Sequence, residues 1–174
     1  MKKLLQPIRD FFKFLLNIWK FRKALWVHTN WDYSGVLYFL KISISDIAKY
    51  IEEDGIEVDH SRLKKVEKMK RVVQILDNIS EYKYFDIVEL ELGRRFISWF
   101  STKEIDDENF ELSSDDSDEQ KEFNLKFFNR VTELEEQEWN ELWEILKGQN
   151  CSKFSKELEF DDQFDGSGLR GWWD

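Results

Sequence analysis

Apolar residues recur every three or four positions over most of the chain, a period typical of amphipathic α-helices. The first such segment runs from Pro7 to about Val27, and proline suits the first turn of a helix. Its apolar positions are Ile8, Phe11, Phe12, Leu15, Ile18, Trp19, Phe21 and Leu25. A basic amphipathic segment of this kind can lie on a membrane surface, but a stripe this wide and aromatic favours burial in a helix bundle.

The next two segments predict a long helix hairpin. The second helix starts after Thr29-Asn30, either of which can cap it, and Asp54-Gly55 ends it. The third helix begins at Asp59 or Ser61 and carries apolar residues at helical spacing as far as Ile79. Because only a few residues join the two helices, we expect them to pack antiparallel.

Residues 82–118 carry weaker and mixed patterns. From 82 to 100 the pattern is helical but less regular, Gly93 interrupts it, and a strand is conceivable for 95–100. Residues 101–118 are rich in Asp, Glu and Ser and have little to bury, so we predict an exposed acidic loop there.

The last third of the chain begins with a strong helix from about Ser117 to Lys147, which Gly148 ends. Residues 150–174 then form an irregular tail, whose Gly166-Ser167-Gly168 lets the backbone pass close to a ligand or to a neighbouring helix. We predict that this tail packs back on the domain. The predicted fold is therefore mostly α: a single helical domain, residues 1–174, built as a bundle on the antiparallel hairpin.

Composition agrees with a folded chain and narrows its class. Hydrophobic residues make up 41% of the sequence and aromatic residues 16%, which is ample for a core. The single cysteine excludes an internal disulfide and fits a reducing compartment. His28 and His60 are the only histidines, and no Cys/His spacing is typical of zinc, so we predict no metal and no cofactor. Charges interrupt every apolar stretch, so we expect neither a secretory signal nor a membrane span, and a cytoplasmic protein.

Charge is distributed unevenly along the chain. Residues 1–27 contain seven basic residues and one acid, Asp10, whereas 101–122 contain ten acids and two lysines. The net charge of -10 argues against DNA binding by the bulk of the surface. The asymmetry indicates either an anion site or two faces that meet each other or a second copy. Eight tryptophans and fifteen phenylalanines are many for this length, so we also expect a homo-oligomer.

Aromatic and basic residues occur together at two predicted helix starts. Trp31-Asp32-Tyr33 opens the second helix, where free backbone amides suit an anion and flat rings suit a stacked base. Arg62, Lys65 and Lys68 lie three residues apart at the start of the third helix, a spacing that suits phosphate contacts. The simpler interpretation is that Trp31 and Tyr33 anchor the hairpin and that the cations form a solvated face.

The end of the chain repeats this combination. Arg170 is followed by Trp172 and Trp173, and each tryptophan buries on the order of 200 Å² when it packs. The two rings either dock on the domain or contact a partner. The predicted ligand-binding residues are Trp31, Tyr33, Arg62, Lys65, Lys68, Arg170, Trp172 and Trp173.

No catalytic motif is present in the sequence. There is no Gly-x-x-x-x-Gly-Lys loop, no nucleophile elbow, no His-Glu-x-x-His and no dinucleotide fingerprint. Carboxylates are abundant, but an acidic chain places some of them in pairs by chance. We therefore predict a protein that is not an enzyme.

Several of these residues also carry a family resemblance. Trp31-Asp32-Tyr33, Gly55, Arg62, Lys65-Val66-Glu67-Lys68-Met69 and the Trp172-Trp173-Asp174 ending resemble small helical proteins that are common in tailed-bacteriophage genomes. The match covers about residues 7–90 and the last five positions, whereas 101–122 depart from the pattern. The resemblance implies a phage accessory protein in the cytoplasm of the infected bacterial host. Such proteins often inhibit host defence, for example by sequestering nucleotide signals or binding a defence enzyme.

Together these observations predict a non-catalytic sponge. We expect it to bind and sequester an anionic small molecule, such as a nucleotide or cyclic dinucleotide defence signal, and so to counter host immunity. The alternative is an acidic protein-interaction module, or a nucleic-acid mimic, that blocks a host enzyme through its acidic segment.

Overall fold

The computed structural model describes most of the chain. The described residues are 2–28, 33–97, 100–106, 109–114, 116–149 and 163–172. Their elements are α1 (Lys2–Val27), α2 (Ser34–Asp54), α3 (Asp59–Ser80), α4 (Tyr84–Leu92), β1 (Phe100–Asp106), β2 (Asn109–Ser114), α5 (Asp118–Lys147) and a short 3₁₀ turn (Leu169–Gly171). The prediction of a mostly α-helical bundle is confirmed.

The α2–α3 hairpin forms the core of the first half of the chain. Lys41 near the start of α2 pairs with Asp77 near the end of α3, and Lys70 Nζ lies 2.6 Å from Glu52 Oε1, so the helices run antiparallel. The buried apolar side chains on their facing surfaces are Leu37, Ile44, Ala48, Ile51, Val66, Met69, Val72, Ile75, Leu76 and Ile79. α2 begins at Ser34, whereas the predicted caps Thr29 and Asn30 lie outside the described residues.

Helix α1 is held by α2 at one end. Lys20 Nζ lies 2.5 Å from Asp46 Oδ2, the Phe21 and Phe39 rings lie 5.4 Å apart, and Ala24 is fully buried. Every side chain from Gln6 to Lys20 is exposed. The expectation that the broad aromatic stripe is buried in the bundle is therefore wrong, because the helix contacts described for α1 lie in its last two turns.

The chain divides into two compact units where we predicted a single domain. One contains Met1–Ser80 and Glu141–Asp174, and the other contains Glu81–Asn140, so the boundary falls within α5. In the second unit, five phenylalanine rings form a cluster in which the centroids of contacting rings lie 4.8–6.1 Å apart. They are Phe85, Phe96, Phe123, Phe127 and Phe128.

Part of the segment predicted as an acidic loop is paired instead. β1 and β2 form an antiparallel hairpin in which Thr102 pairs with Leu112 and Glu104 with Phe110, with an irregularity between Glu104 and Asp106. Phe100 and Thr102 in β1, and Phe110 and Leu112 in β2, alternate with polar residues, a pattern that suits strands. The density of acids hid this alternation in the sequence.

Candidate functional site

Three glycines bring the tail onto the ends of α3 and α5. Gly148 ends α5 with a φ of 75°, and Gly168 N–H donates to the Ile145 carbonyl at 2.8 Å. A Cβ on Gly148 would lie 2.4 Å from the Gly168 Cα, so the two backbones touch. Gly166 has a φ of 85°, and a Cβ there would lie 2.2 Å from the Lys64 carbonyl oxygen. The Gly-Ser-Gly segment thus approaches two helices closely.

Polar contacts fix the tail in this position. Lys64 Nζ donates to the Phe164 carbonyl at 2.9 Å, and Asp165 Oδ1 accepts from the backbone N–H of Ser167 at 2.9 Å. Trp172 is 3% exposed, and its indole Nε1–H donates to the Gly166 carbonyl at 2.8 Å. The buried ring therefore holds the tail in place. Because it is packed inside the protein, Trp172 does not present its ring to a ligand as the sequence predicted.

A cleft of about 900 Å³ opens where the tail meets α3 and α5, and we call it the tail cleft. Its lining residues are Glu57, Ser61, Lys65, Trp143, Leu146, Lys147, Gly148, Gln149, Phe164, Ser167, Gly168, Leu169, Arg170 and Gly171. The volume falls within the range of small-molecule sites. The structure thus brings two of the predicted ligand residues, Lys65 and Arg170, into one cavity.

Among the residues that the structure describes, the lining of the tail cleft is net positive in an acidic chain. Lys65, Lys147 and Arg170 are cationic, and Glu57 is the one acidic residue of this described lining. The Lys65 side chain is buried and pairs with Glu57. Lys147 Nζ lies 3.3 Å from Glu144 Oε1, and both of these side chains are exposed. Arg170 is exposed and also lines the cleft.

Trp143 supplies an aromatic surface that sequence reasoning missed. It is 65% exposed on the last turns of α5 and lines the cleft beside Leu146. At the helical period, Leu142 and Trp143 both count as apolar positions of the helix predicted from Ser117 to Lys147, but Leu142 is the buried residue of the two. The sequence did contain one indication of this role: Trp143 lies one helical turn before Lys147, a cation, and Gly148, which ends the helix.

The Arg62 side chain forms hydrogen bonds within the protein, whereas the sequence predicted a phosphate contact. Its Nη1 donates to the Ile51 carbonyl at 3.2 Å and to the Glu52 carbonyl at 2.5 Å, and its Nη2 donates to Asp59 Oδ1 at 2.8 Å. The last carbonyls of a helix have no intrahelical donors, so this guanidinium caps α2. Gly55 leaves room for it, because a Cβ there would lie 3.1 Å from Arg62 Cδ.

Replacing Arg62 by Met is expected to lower the free energy of unfolding by about 1–3 kcal/mol, because carbonyls and a carboxylate lose a charged donor while the apolar stem is kept. Urea denaturation measures the change. Arg95→Met, at an exposed position, is the control and should change stability by less than about 0.5 kcal/mol. Equal stability of the two variants would show that the cap contributes nothing.

Lys68 lies outside the tail cleft. It lines a neighbouring cleft of about 700 Å³ together with Glu141, Glu144 and Asp165. Arg71 Nε and Nη2 donate to the two oxygens of Glu141 at 2.7 and 2.5 Å. These hydrogen bonds from Arg71 hold the pKa of Glu141 below its ordinary value. The three carboxylates of its described lining repel an anion, so this second cleft is less suited to an anionic ligand than the tail cleft.

The remaining predicted ligand residues do not join the tail cleft in the described structure. Tyr33 lies just before α2, exposed, and is not among the lining residues. Trp31 and Trp173 lie outside the described residues.

Neither a metal site nor a membrane span is found among the residues that the structure describes. No group of three or more His, Cys, Asp or Glu side chains there is placed to hold a metal ion. None of the helices described is both long enough and apolar enough to cross a bilayer.

Comparison of the chain with protein-family models, with curated proteins and with solved structures finds no match in any of the three.

Proposed function

We propose that the protein binds an anionic small molecule with a flat ring in the tail cleft and sequesters it without chemical change. The observation that carries this proposal is the net positive charge of the described lining of a cavity in a chain whose net charge is -10. Cations that line one cavity in a chain of net negative charge attract an anion to that place. A nucleotide or cyclic dinucleotide is the ligand class we favour, since it combines phosphates with flat bases.

Each part of the cleft has a role in this proposal. Arg170 and Lys147, which both line the cleft, contact phosphate oxygens, and a guanidinium suits bidentate contacts. The exposed Trp143 ring stacks on a base, which is worth about 1–3 kcal/mol per base. The buried Lys65 pairs with Glu57 in the cleft wall, so the net positive charge of the described lining comes from Lys147 and Arg170.

The biological role follows from the resemblance to phage accessory proteins. A protein of this kind that binds a nucleotide signal in the infected host cytoplasm lowers the concentration of free signal and so counters host defence. The acidic hairpin, with Glu104, Asp106 and Glu111, keeps open the alternative of an interaction module that blocks a host enzyme.

Isothermal titration with mono- and cyclic dinucleotides tests the proposal. We expect at least one ligand to bind and to be recovered unchanged, and at 100 times its Kd to add about 2.7 kcal/mol of stability. Trp143→Ala and Arg170→Ala should each weaken binding about tenfold or more, because stacking and a charged hydrogen bond are each worth more than about 1.4 kcal/mol.

Two control variants match these changes. Trp26→Ala removes an exposed tryptophan from α1, and Lys126→Ala removes an exposed cation from α5. Both should bind as the wild type does. If no nucleotide binds, and replacing the hairpin acids by Gln and Asn abolishes activity in cells, the interaction module replaces the sponge.

A further inference from the structure

Helix α1 exposes a large apolar surface to solvent. Phe12 is 61% exposed, and Leu16 and Trp19 are each 67% exposed. The other exposed large apolar side chains of α1 are Ile8, Phe11, Phe14, Leu15, Ile18, Leu25 and Trp26. Contiguous apolar surface of this extent is rare on proteins that act alone in water and marks a contact surface.

Between Ile8 and Lys20, the apolar and polar residues of α1 occupy separate faces. At the helical period, Arg9, Lys13 and Lys20 fall on one narrow side, and Asp10 lies on the adjacent flank. Arg22 falls within the apolar arc, in the last two turns, where α2 holds the helix. The apolar residues cover the remaining arc of about 200°, which is wider than the stripe that one packed helix covers. A helix that sinks into a flat apolar layer buries an arc of this width, whereas contact with a single partner helix buries a narrower one.

The charge of α1 favours a negatively charged partner surface. Residues 1–27 carry seven basic residues and one acid in a chain of net charge -10. Pairing α1 with the α1 of a second copy would bring two basic helices together. The contacts of Lys20 with Asp46 and of Phe21 with Phe39 hold the C-terminal end of the helix and leave the apolar face from Ile8 to Trp19 uncovered by the described residues.

We propose that α1 lies in the plane of an anionic lipid membrane surface, with its aromatic face in the boundary between headgroups and acyl chains. Phe, Leu and Trp supply the apolar contact, and the basic face attracts anionic headgroups. A helix that lies in the interface crosses no bilayer, so charges along its polar face remain in water.

Co-sedimentation of the full chain with lipid vesicles tests the proposal. We expect binding to vesicles of equimolar phosphatidylglycerol and phosphatidylcholine, weaker binding to phosphatidylcholine alone, and loss of binding as salt is raised. The double variant Phe12→Glu, Leu16→Glu and the single variant Lys13→Glu should each weaken binding about tenfold or more. Since all three side chains are exposed, these variants should fold normally.

The control is Leu90→Glu with Leu125→Glu, which adds the same charge at exposed apolar positions of α4 and α5. This control and Arg170→Ala should sediment with the vesicles as the wild type does. If the wild type sediments with neither kind of vesicle, the proposal is wrong. It also fails if light scattering shows a dimer that Phe12→Glu, Leu16→Glu dissociates, because a second copy is then the occupant of this face.

Discussion

Replacing Trp172 by Ala is expected to destabilise the protein by about 3–5 kcal/mol, the range for removing a large buried aromatic side chain. The ring is 3% exposed, and its Nε1–H satisfies the Gly166 carbonyl. Its loss opens a cavity and leaves a carbonyl without its donor where the tail docks. Urea denaturation followed by circular dichroism measures the change.

Two further variants show whether the loss of stability comes from burial of this ring and from its hydrogen bond. Trp26→Ala removes a ring that is 90% exposed and should change stability by less than about 0.5 kcal/mol. Trp172→Phe keeps most of the ring but not the donor and should fall between Ala and the wild type. If Trp172→Ala leaves stability unchanged and instead weakens ligand binding, Trp172 is the stacking residue that the sequence suggested.

Replacing Phe127 by Ala is the second large effect, and we expect it to destabilise the Glu81–Asn140 unit by about 3–5 kcal/mol. Phe127 is fully buried, and its ring centroid lies 5.4 Å from Phe96, 5.7 Å from Phe85 and 6.0 Å from Phe123. Removing this ring breaks all three aromatic contacts at once. Amide hydrogen exchange of α4 and of the first part of α5 reports the loss locally.

The adjacent residue provides the matched control. Phe128 is 44% exposed, so Phe128→Ala leaves a smaller cavity and should cost clearly less than Phe127→Ala. Equal losses for the two variants would contradict the assignment of Phe127 as the centre of the cluster.

The helical part of the fold was predictable because its determinants are local. Apolar residues at helical spacing defined the α2–α3 hairpin, and Gly148 marked the end of α5. The β1–β2 hairpin was missed, since a high density of acids in 101–118 outweighed a short alternating pattern. For α1 the period was right, but sequence cannot show whether an apolar face finds a partner within the chain.

The candidate site was predictable only in part. Arg62 and Lys65 are three positions apart, which separates them by about 60° around a helix. That rotation suffices for Arg62 to cap α2 while Lys65 lines the tail cleft. Which cations share a cavity depends on where the tail docks, and that contact joins residues far apart in sequence. Trp143 was missed for the same reason.

The contact between Gly148 and Gly168 closes a loop of the chain. The free energy of closing a loop rises slowly with its length, by about 0.6 kcal/mol for each doubling. In addition to residues at and beyond the two ends of this loop, Gln149, Phe164 and Ser167 within it line the tail cleft. A change of length within this loop therefore costs little free energy of closure, whereas a side chain in place of the hydrogen at Gly148 would meet the Gly168 backbone and separate the two ends.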